Sequence, residues 1–179
     1  LTFRPSRRRK RRGLTPVLGR SRMFEFRVTK YDPRFRATDG SYGRDEWTAV
    51  TDIGRTYGGV LVSCEEYERT ECAYSAAARA FLEEAAVQVV SIRGLEDPNS
   101  RYPQFSDGAV IPVEESDSLL ALMLREELWC RLEAPDAFVH IGYDYYMYVG
   151  VPIPCPFAQR RAASLALFVE PFRSPYHPE

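Results

Sequence analysis

The chain has 179 residues, 45% hydrophobic and 13% aromatic, enough to build a full core without a disulfide or metal staple. Its formal charge of −1 hides a division. Residues 1–22 hold nine Arg or Lys and no acid, whereas residues 23–179 hold 15 Arg or Lys against 25 Asp or Glu, a net of −10 that repels phosphate backbones and attracts cationic partners.

The basic stretch Arg7-Arg8-Arg9-Lys10-Arg11-Arg12 comes first. Residues 1–22 lack the apolar content that would offset the entropy of ordering them, so disorder is expected. Two readings stand for this arm. It binds nucleic acid or serves as a nuclear address, or it is upstream sequence and the protein begins at Met23, the first methionine. The general preference for arginine, 22 Arg to 2 Lys, fits a coding bias as well as an electrostatic role. On either reading residues 23–179 form one domain.

Met23-Phe-Glu-Phe-Arg-Val28 alternates like a strand. Lys30 to Gly43 is rich in breakers, with Asp32-Pro33 and Asp39-Gly40 as turns. Glu46 to Ile53 has strand-type composition and ends at Gly54. Gly58-Gly59 marks another turn before Val60-Leu61-Val62. Ser63 with Glu66 three residues on has the spacing of a capping box. It predicts a helix to about residue 86, its apolar stripe carried by Tyr67, Tyr74, Ala78, Phe81, Leu82 and Ala85. Val87 to Ile92 is a short strand closed by Gly94, and 96–113 reads as a loop. Ser116 caps a second helix to about Glu127, and a third begins at Pro156 and ends near Ala166. Phe168 to Phe172 is a closing strand in which Pro171 suits an edge. Strands and helices mix without regular βαβ alternation, so the expected fold is α+β, a mainly antiparallel sheet of about five or six strands with three helices.

The densest signal is Phe138-Val-His-Ile-Gly-Tyr-Asp-Tyr-Tyr-Met-Tyr-Val-Gly150, with four of the eleven tyrosines. A tight turn at Pro135-Asp136 pairs Glu133 with Phe138, Leu132 with Val139, Arg131 with His140 and Cys130 with Ile141, and sets Trp129 opposite Gly142. Cys130, Leu132, Val139 and Ile141 then form a core face. Trp129, Arg131, Glu133, Phe138 and His140 share the other. Gly142-Tyr143 fits the centre of a type II′ turn, which would bring Tyr145 opposite His140. Alternatively, one long strand bends at Gly142.

Trp, Tyr and Arg dominate binding hot spots, so Trp129, Arg131, Glu133, Phe138, His140, Tyr143 and Tyr145 are the candidate partner-binding residues. The competing reading packs a helix over that face. His140, Glu133 and Arg131 could also act as base, acid and phosphate clamp of a small hydrolase or nuclease, a reading the acidity of the body disfavours. Cys130 and His140 fall on opposite faces, so they make no nucleophilic pair. The cysteines at 64, 72, 130 and 155 give no zinc spacing with His140 and His177, and no cofactor fingerprint is present. With no apolar leader and no run of 18 apolar residues, a soluble cytoplasmic protein is expected.

The segment from Phe138 to Gly150, together with Lys30-Tyr31-x-Pro33, Glu46-Trp47-Thr48, Asp52-Ile53-Gly54 and Leu167-Phe-Val-Glu-Pro-Phe172-x-Ser174-Pro-Tyr176, resembles an uncharacterised family of small acidic bacterial proteins. The resemblance runs from Met23 to Tyr176 and implies a bacterial source. It supplies no catalytic residues. Size, acidity and tyrosine-rich strands are loosely similar to immunity proteins that neutralise basic toxins. The leading expectation is therefore a non-enzymatic acidic protein that binds a cationic protein. A small hydrolase is the first alternative, and a small-ligand sensor with an aromatic pocket the second.

Overall fold

A computed structural model describes residues 23–38 and 42–176. The expectations for residues 1–22, for the Asp39-Gly40 turn and for His177 lie outside the described residues. The fold is α+β. Among the described residues seven strands form one antiparallel sheet, a separate two-stranded hairpin stands apart, and there are three α-helices. The expected five or six strands undercounts the sheet.

The strands in chain order are β1 (Phe24–Thr29), β2 (Thr56–Tyr57), β3 (Val60–Leu61), β4 (Val89–Glu96), β5 (Val110–Pro112), β6 (Trp129–Ala134), β7 (Ala137–Ile141), β8 (Met147–Val151) and β9 (Phe168–Pro171). In space the large sheet runs β5-β4-β6-β7-β8-β1-β9. β5 lies inside the breaker-rich stretch 96–113 expected as loop; pairing with Val89 to Ser91 at the sheet edge creates it. β2 and β3 meet across Gly58 and Gly59, both at positive φ, as a tight primed turn demands.

Glu46 to Ile53 is not a strand. It closes in a 3-10 turn at Val50–Asp52, because the Asp52 carboxylate accepts from the backbone N–H groups of Thr48 (2.8 Å) and Ala49 (3.2 Å) and from the Tyr57 hydroxyl (2.7 Å). A side chain that captures its own backbone donors removes them from any ladder.

The helices are α1 (Cys64–Glu84), α2 (Ser116–Leu124) and α3 (Pro156–Ser164). Ser63 caps α1 as expected, its hydroxyl accepting from Glu66 N at 3.1 Å. The side chain of Glu84 near the end of α1 accepts from the N–H groups of Phe157 and Ala158, so one helix caps the start of another. The core lies between α1 and one face of the sheet. That face offers Phe26, Val28, Ile92, Cys130, Leu132, Val139, Ile141, Met147 and Val149, all buried, with Phe26 against Phe81 at 5.4 Å. Among the described residues no helix is long and apolar enough to cross a membrane.

One hydroxyl joins three elements. Tyr74 of α1 is buried, accepts from Lys30 N at 2.7 Å and donates to Tyr145 O at 2.6 Å. Tyr74→Phe would leave a buried N–H and C=O without this partner. A loss of about 1–3 kcal/mol is expected, read as a shift of the urea midpoint. An unchanged midpoint would show that the hydroxyl does not tie these elements together.

Candidate functional site: an aromatic cleft at the end of the tyrosine sheet

β6 and β7 pair in the register derived from the sequence, Arg131 with His140, Leu132 with Val139 and Glu133 with Phe138. Cys130, Leu132, Val139 and Ile141 are core, and burial pushes the Cys130 thiol up to about 12, far from a reactive thiolate.

Beyond Ile141 the chain departs from both expectations. No two-residue turn forms at Gly142-Tyr143, and the strand does not simply bend. The connection to β8 takes five residues, 142–146, closed by Gly142 N to Tyr146 O at 2.7 Å. Asp144 and Tyr145 both take left-handed backbone (φ 55° and 59°). His140 therefore faces Tyr148, three residues later than expected. An odd shift swaps the faces. Tyr148 joins His140, while Met147 turns to the core. Tyr145 is lost to the proposed face; it packs on the helical side against Trp47, Tyr74 and Tyr67, with ring centroids 5.1, 5.5 and 6.2 Å away.

Among the described residues no helix covers the face that holds His140. The chain after β9 does so in part. Phe172 N donates to Glu25 O (3.0 Å), Ser174 N donates to the Glu25 carboxylate (2.9 Å), and Ser174 Oγ lies 2.9 Å from His140 Nδ1. Phe138 stacks on the imidazole at 4.3 Å and 13°. Both rings are buried. Arg131 and Glu133 are half-buried and paired at 3.4 Å, and His140 Nε2 is 3.8 Å from Glu133. The structure thus brings His140, Glu133 and Arg131 together and adds a serine that the sequence reading did not connect with them. Ser174 is only 3% exposed and its hydroxyl accepts from Tyr176 N, so a substrate has no approach to it in this arrangement.

The remaining two candidates, Trp129 and Tyr143, border an open cleft of about 460 Å³ beside Tyr176. Trp129 is held by its indole N–H, which donates to Ile141 O at 2.8 Å. Tyr176 forms the second wall, its ring 5.8 Å from Trp129. A Cβ at Gly142 would sit 3.0 Å from the Tyr176 hydroxyl and 3.3 Å from the Tyr148 ring, so these two tyrosines cover that glycine. Tyr143, 87% exposed, stands at the rim, and Met123 and Leu128 supply apolar lining.

Three carboxylates border the cleft: Glu96, Glu126 and Glu127. Glu127 accepts from the Tyr102 hydroxyl and pairs with Arg101 at 3.2 Å. Glu96 and Glu126 have no ion pair among the described residues and are exposed. None of these acids, nor Tyr176, stood among the sequence-derived candidates. The acids and Tyr176 come from three separate segments, and only Ser174-Pro175-Tyr176 carried a signal, as part of the tail motif.

A larger groove of about 690 Å³ along α1 and α2 is less suited to this kind of recognition, because no aromatic ring stands among its described lining residues, and two of its charges are already paired, Glu71 with Arg125 and Asp117 with Arg79. Among the described residues no group of three or more His, Cys, Asp or Glu side chains is placed to hold a metal. No family model matches the chain, and neither the curated proteins nor the solved structures yield a significant match.

The Phe138–His140 stack depends on Gly150. A Cβ there would lie 2.2 Å from the Phe138 ring. Gly150→Ala must displace that ring and is expected to cost about 1–3 kcal/mol or more, as other overpacked sites do. A neutral result in thermal unfolding would mean that the stack is not a packing constraint.

Proposed function

We propose that this protein binds without catalysing, and that its aromatic cleft receives a cationic side chain of a basic protein partner. The observation that carries this reading is the convergence of Trp129, Tyr143 and Tyr176 with Glu96 and Glu126 in one open cleft. Aromatic faces attract cations through their quadrupole, and the attraction strengthens when water is displaced. Carboxylates at the rim add charge complementarity, and the −10 body draws a basic partner in from a distance. A basic toxin is one partner of this chemistry, in line with the size and charge of immunity proteins. That step is analogy and assigns no residue. The resemblance to small acidic bacterial proteins is compatible with it and adds no role.

A second reading, a hydrolase acting through His140, Glu133 and Arg131, is favoured by the contact of Ser174 with His140 at 2.9 Å. The burial of both residues opposes it.

The test uses a short peptide of alternating arginine and lysine, with a glutamate-rich peptide as control, titrated against the full chain by calorimetry. The basic peptide is expected to bind, and raising salt from about 0.05 to about 0.5 M should weaken it as the Debye length shrinks. Tyr143→Ala and Glu126→Gln, both at exposed positions, should each weaken it roughly five- to tenfold, which is the scale of one lost cation–π or charge contact. Equal affinity of both variants and wild type would remove the cleft from the interaction. Tetramethylammonium bound as tightly as the peptide would favour a sensor of small cations. Ester hydrolysis that is lost in Ser174→Ala would favour the hydrolase.

A further inference from the structure

Lysine is nearly absent from this protein. The chain has 22 arginines and two lysines, Lys10 and Lys30. Arginine stays protonated in any protein setting, whereas a lysine moved out of water readily gives up its proton and becomes a nucleophile. The position that holds Lys30 is therefore of interest.

Lys30 directly follows β1, and its backbone N–H is anchored on the Tyr74 hydroxyl. Its side chain is only 10% exposed. The Nζ atom lies between two rings, 4.3 Å from the centroid of Tyr31 and 4.2 Å from that of Trp47. Glu46 faces it at 3.4 Å and is itself held by the Tyr42 hydroxyl at 3.0 Å. Burial depresses the amine to about 8 against the opposing pull of Glu46 and the more distant Asp52. Lys30, Glu46 and Trp47 together line a cavity of about 210 Å³ on the helical side of the sheet. Its other walls are Thr70, Ala73, Leu165 and Leu167, and the charged pair at its edge, Glu66 and Arg69, is internally neutralised. The site thus joins an amine, a carboxylate and a small space of mixed polar and apolar lining, and it lies apart from the Trp129 cleft.

We propose that Lys30 is a nucleophilic amine that captures a small uncharged aldehyde or ketone as a Schiff base in this cavity. The ammonium gives one proton to Glu46. The freed lone pair attacks the carbonyl carbon, forming the C–N bond while the C=O π pair moves to oxygen. That oxygen takes up the proton held by Glu46 and a second one from nitrogen, and leaves as water as the C=N bond forms. Ammonium and carbonyl go in, iminium and one water come out, and no electron donor or acceptor is needed. The iminium keeps the positive charge where the ammonium had it, so Tyr31, Trp47 and Glu46 stabilise the product as they stabilise the resting amine. The cavity volume of about 210 Å³ restricts the carbonyl compound to roughly ten heavy atoms, since about 150 Å³ holds a benzene, and the one cation in its walls besides Lys30, Arg69, is already paired with Glu66.

The experiment exposes the full chain to propanal with cyanoborohydride, which reduces any iminium to a stable secondary amine, and maps the modified peptides by mass spectrometry. Lys10 serves as the internal reference. At pH 7.5 an amine of pKa about 8 holds on the order of 100-fold more free base than an ordinary lysine. Allowing for its confined approach, Lys30 should be alkylated at least about tenfold faster than Lys10, with its rate half-maximal near pH 8. Pyrenecarboxaldehyde, too large for the cavity, should lose this preference and modify Lys10 first. Lys30→Arg keeps a cation between the rings and should fold yet form no adduct in this region; the wild-type map decides the question even if that variant is unstable. Reaction at Lys30 no faster than at Lys10, reaction only after urea is added, or equal labelling by both aldehydes would overturn the proposal.

Discussion

The buried hydroxyl of Tyr74 is the constraint on which the arrangement of this protein turns. It lies where α1, the residue after β1 and the loop between β7 and β8 meet, and it satisfies one backbone donor and one backbone acceptor. That loop contains two consecutive non-glycine residues with left-handed backbone, which is unfavourable for tyrosine above all. The structure holds them because Tyr145 gains a fully buried ring among Trp47, Tyr67 and Tyr74, and because its carbonyl is tied to α1. Five loop residues instead of two then set the register of β8. The register sets which tyrosines reach the core, and so one hydroxyl propagates to the face of every residue from Tyr145 to Val151.

The two faces of the sheet are covered by different means. Helices bury one face. On the other, the chain after β9 pins itself to Glu25 and His140 and places Tyr176 beside Trp129. It takes His140 and Phe138 out of reach, and it sets the Tyr176 ring across a concave edge from the start of β6.

Much of this was legible in the sequence. The β6–β7 register followed from one two-residue turn and the parity of four apolar residues, and both depend only on local geometry. The cap at Ser63 was equally local. The failures share a cause. β5 exists because Val89 to Ser91 offers an edge, Asp52 turns a strand-like segment into a 3-10 turn, and the five-residue loop is stabilised by a helix about 70 residues earlier in the chain. In each case a contact outside the pattern, or a side chain competing with the backbone, overrides the period. The candidate site divides along the same line. Trp129 and Tyr143 border the cleft, and Tyr145 leaves the face because the loop's length was invisible. Glu96, Glu126 and Tyr176 meet there only in three dimensions.

The same chemistry appears twice in this molecule, and comparing the two settings gives a physical standard for the cleft. Around Lys30, two rings and a carboxylate surround a cation of the chain's own, at centroid distances of 4.2 and 4.3 Å. There the aromatic faces and Glu46 compensate an ammonium that is largely withdrawn from water, although burial still drives its pKa down. At the cleft, Trp129, Tyr143 and Tyr176 take the place of the rings, and Glu96 and Glu126 the place of the carboxylate, with the difference that this group opens outward. A cation arriving there from another protein would lose less water than Lys30 has lost, so the same attractions would be opposed by a smaller desolvation cost. The cost of burying charge is thus what separates the two sites. Around Lys30 it lowers the pKa of the amine to about 8, and at the open cleft that cost is smaller.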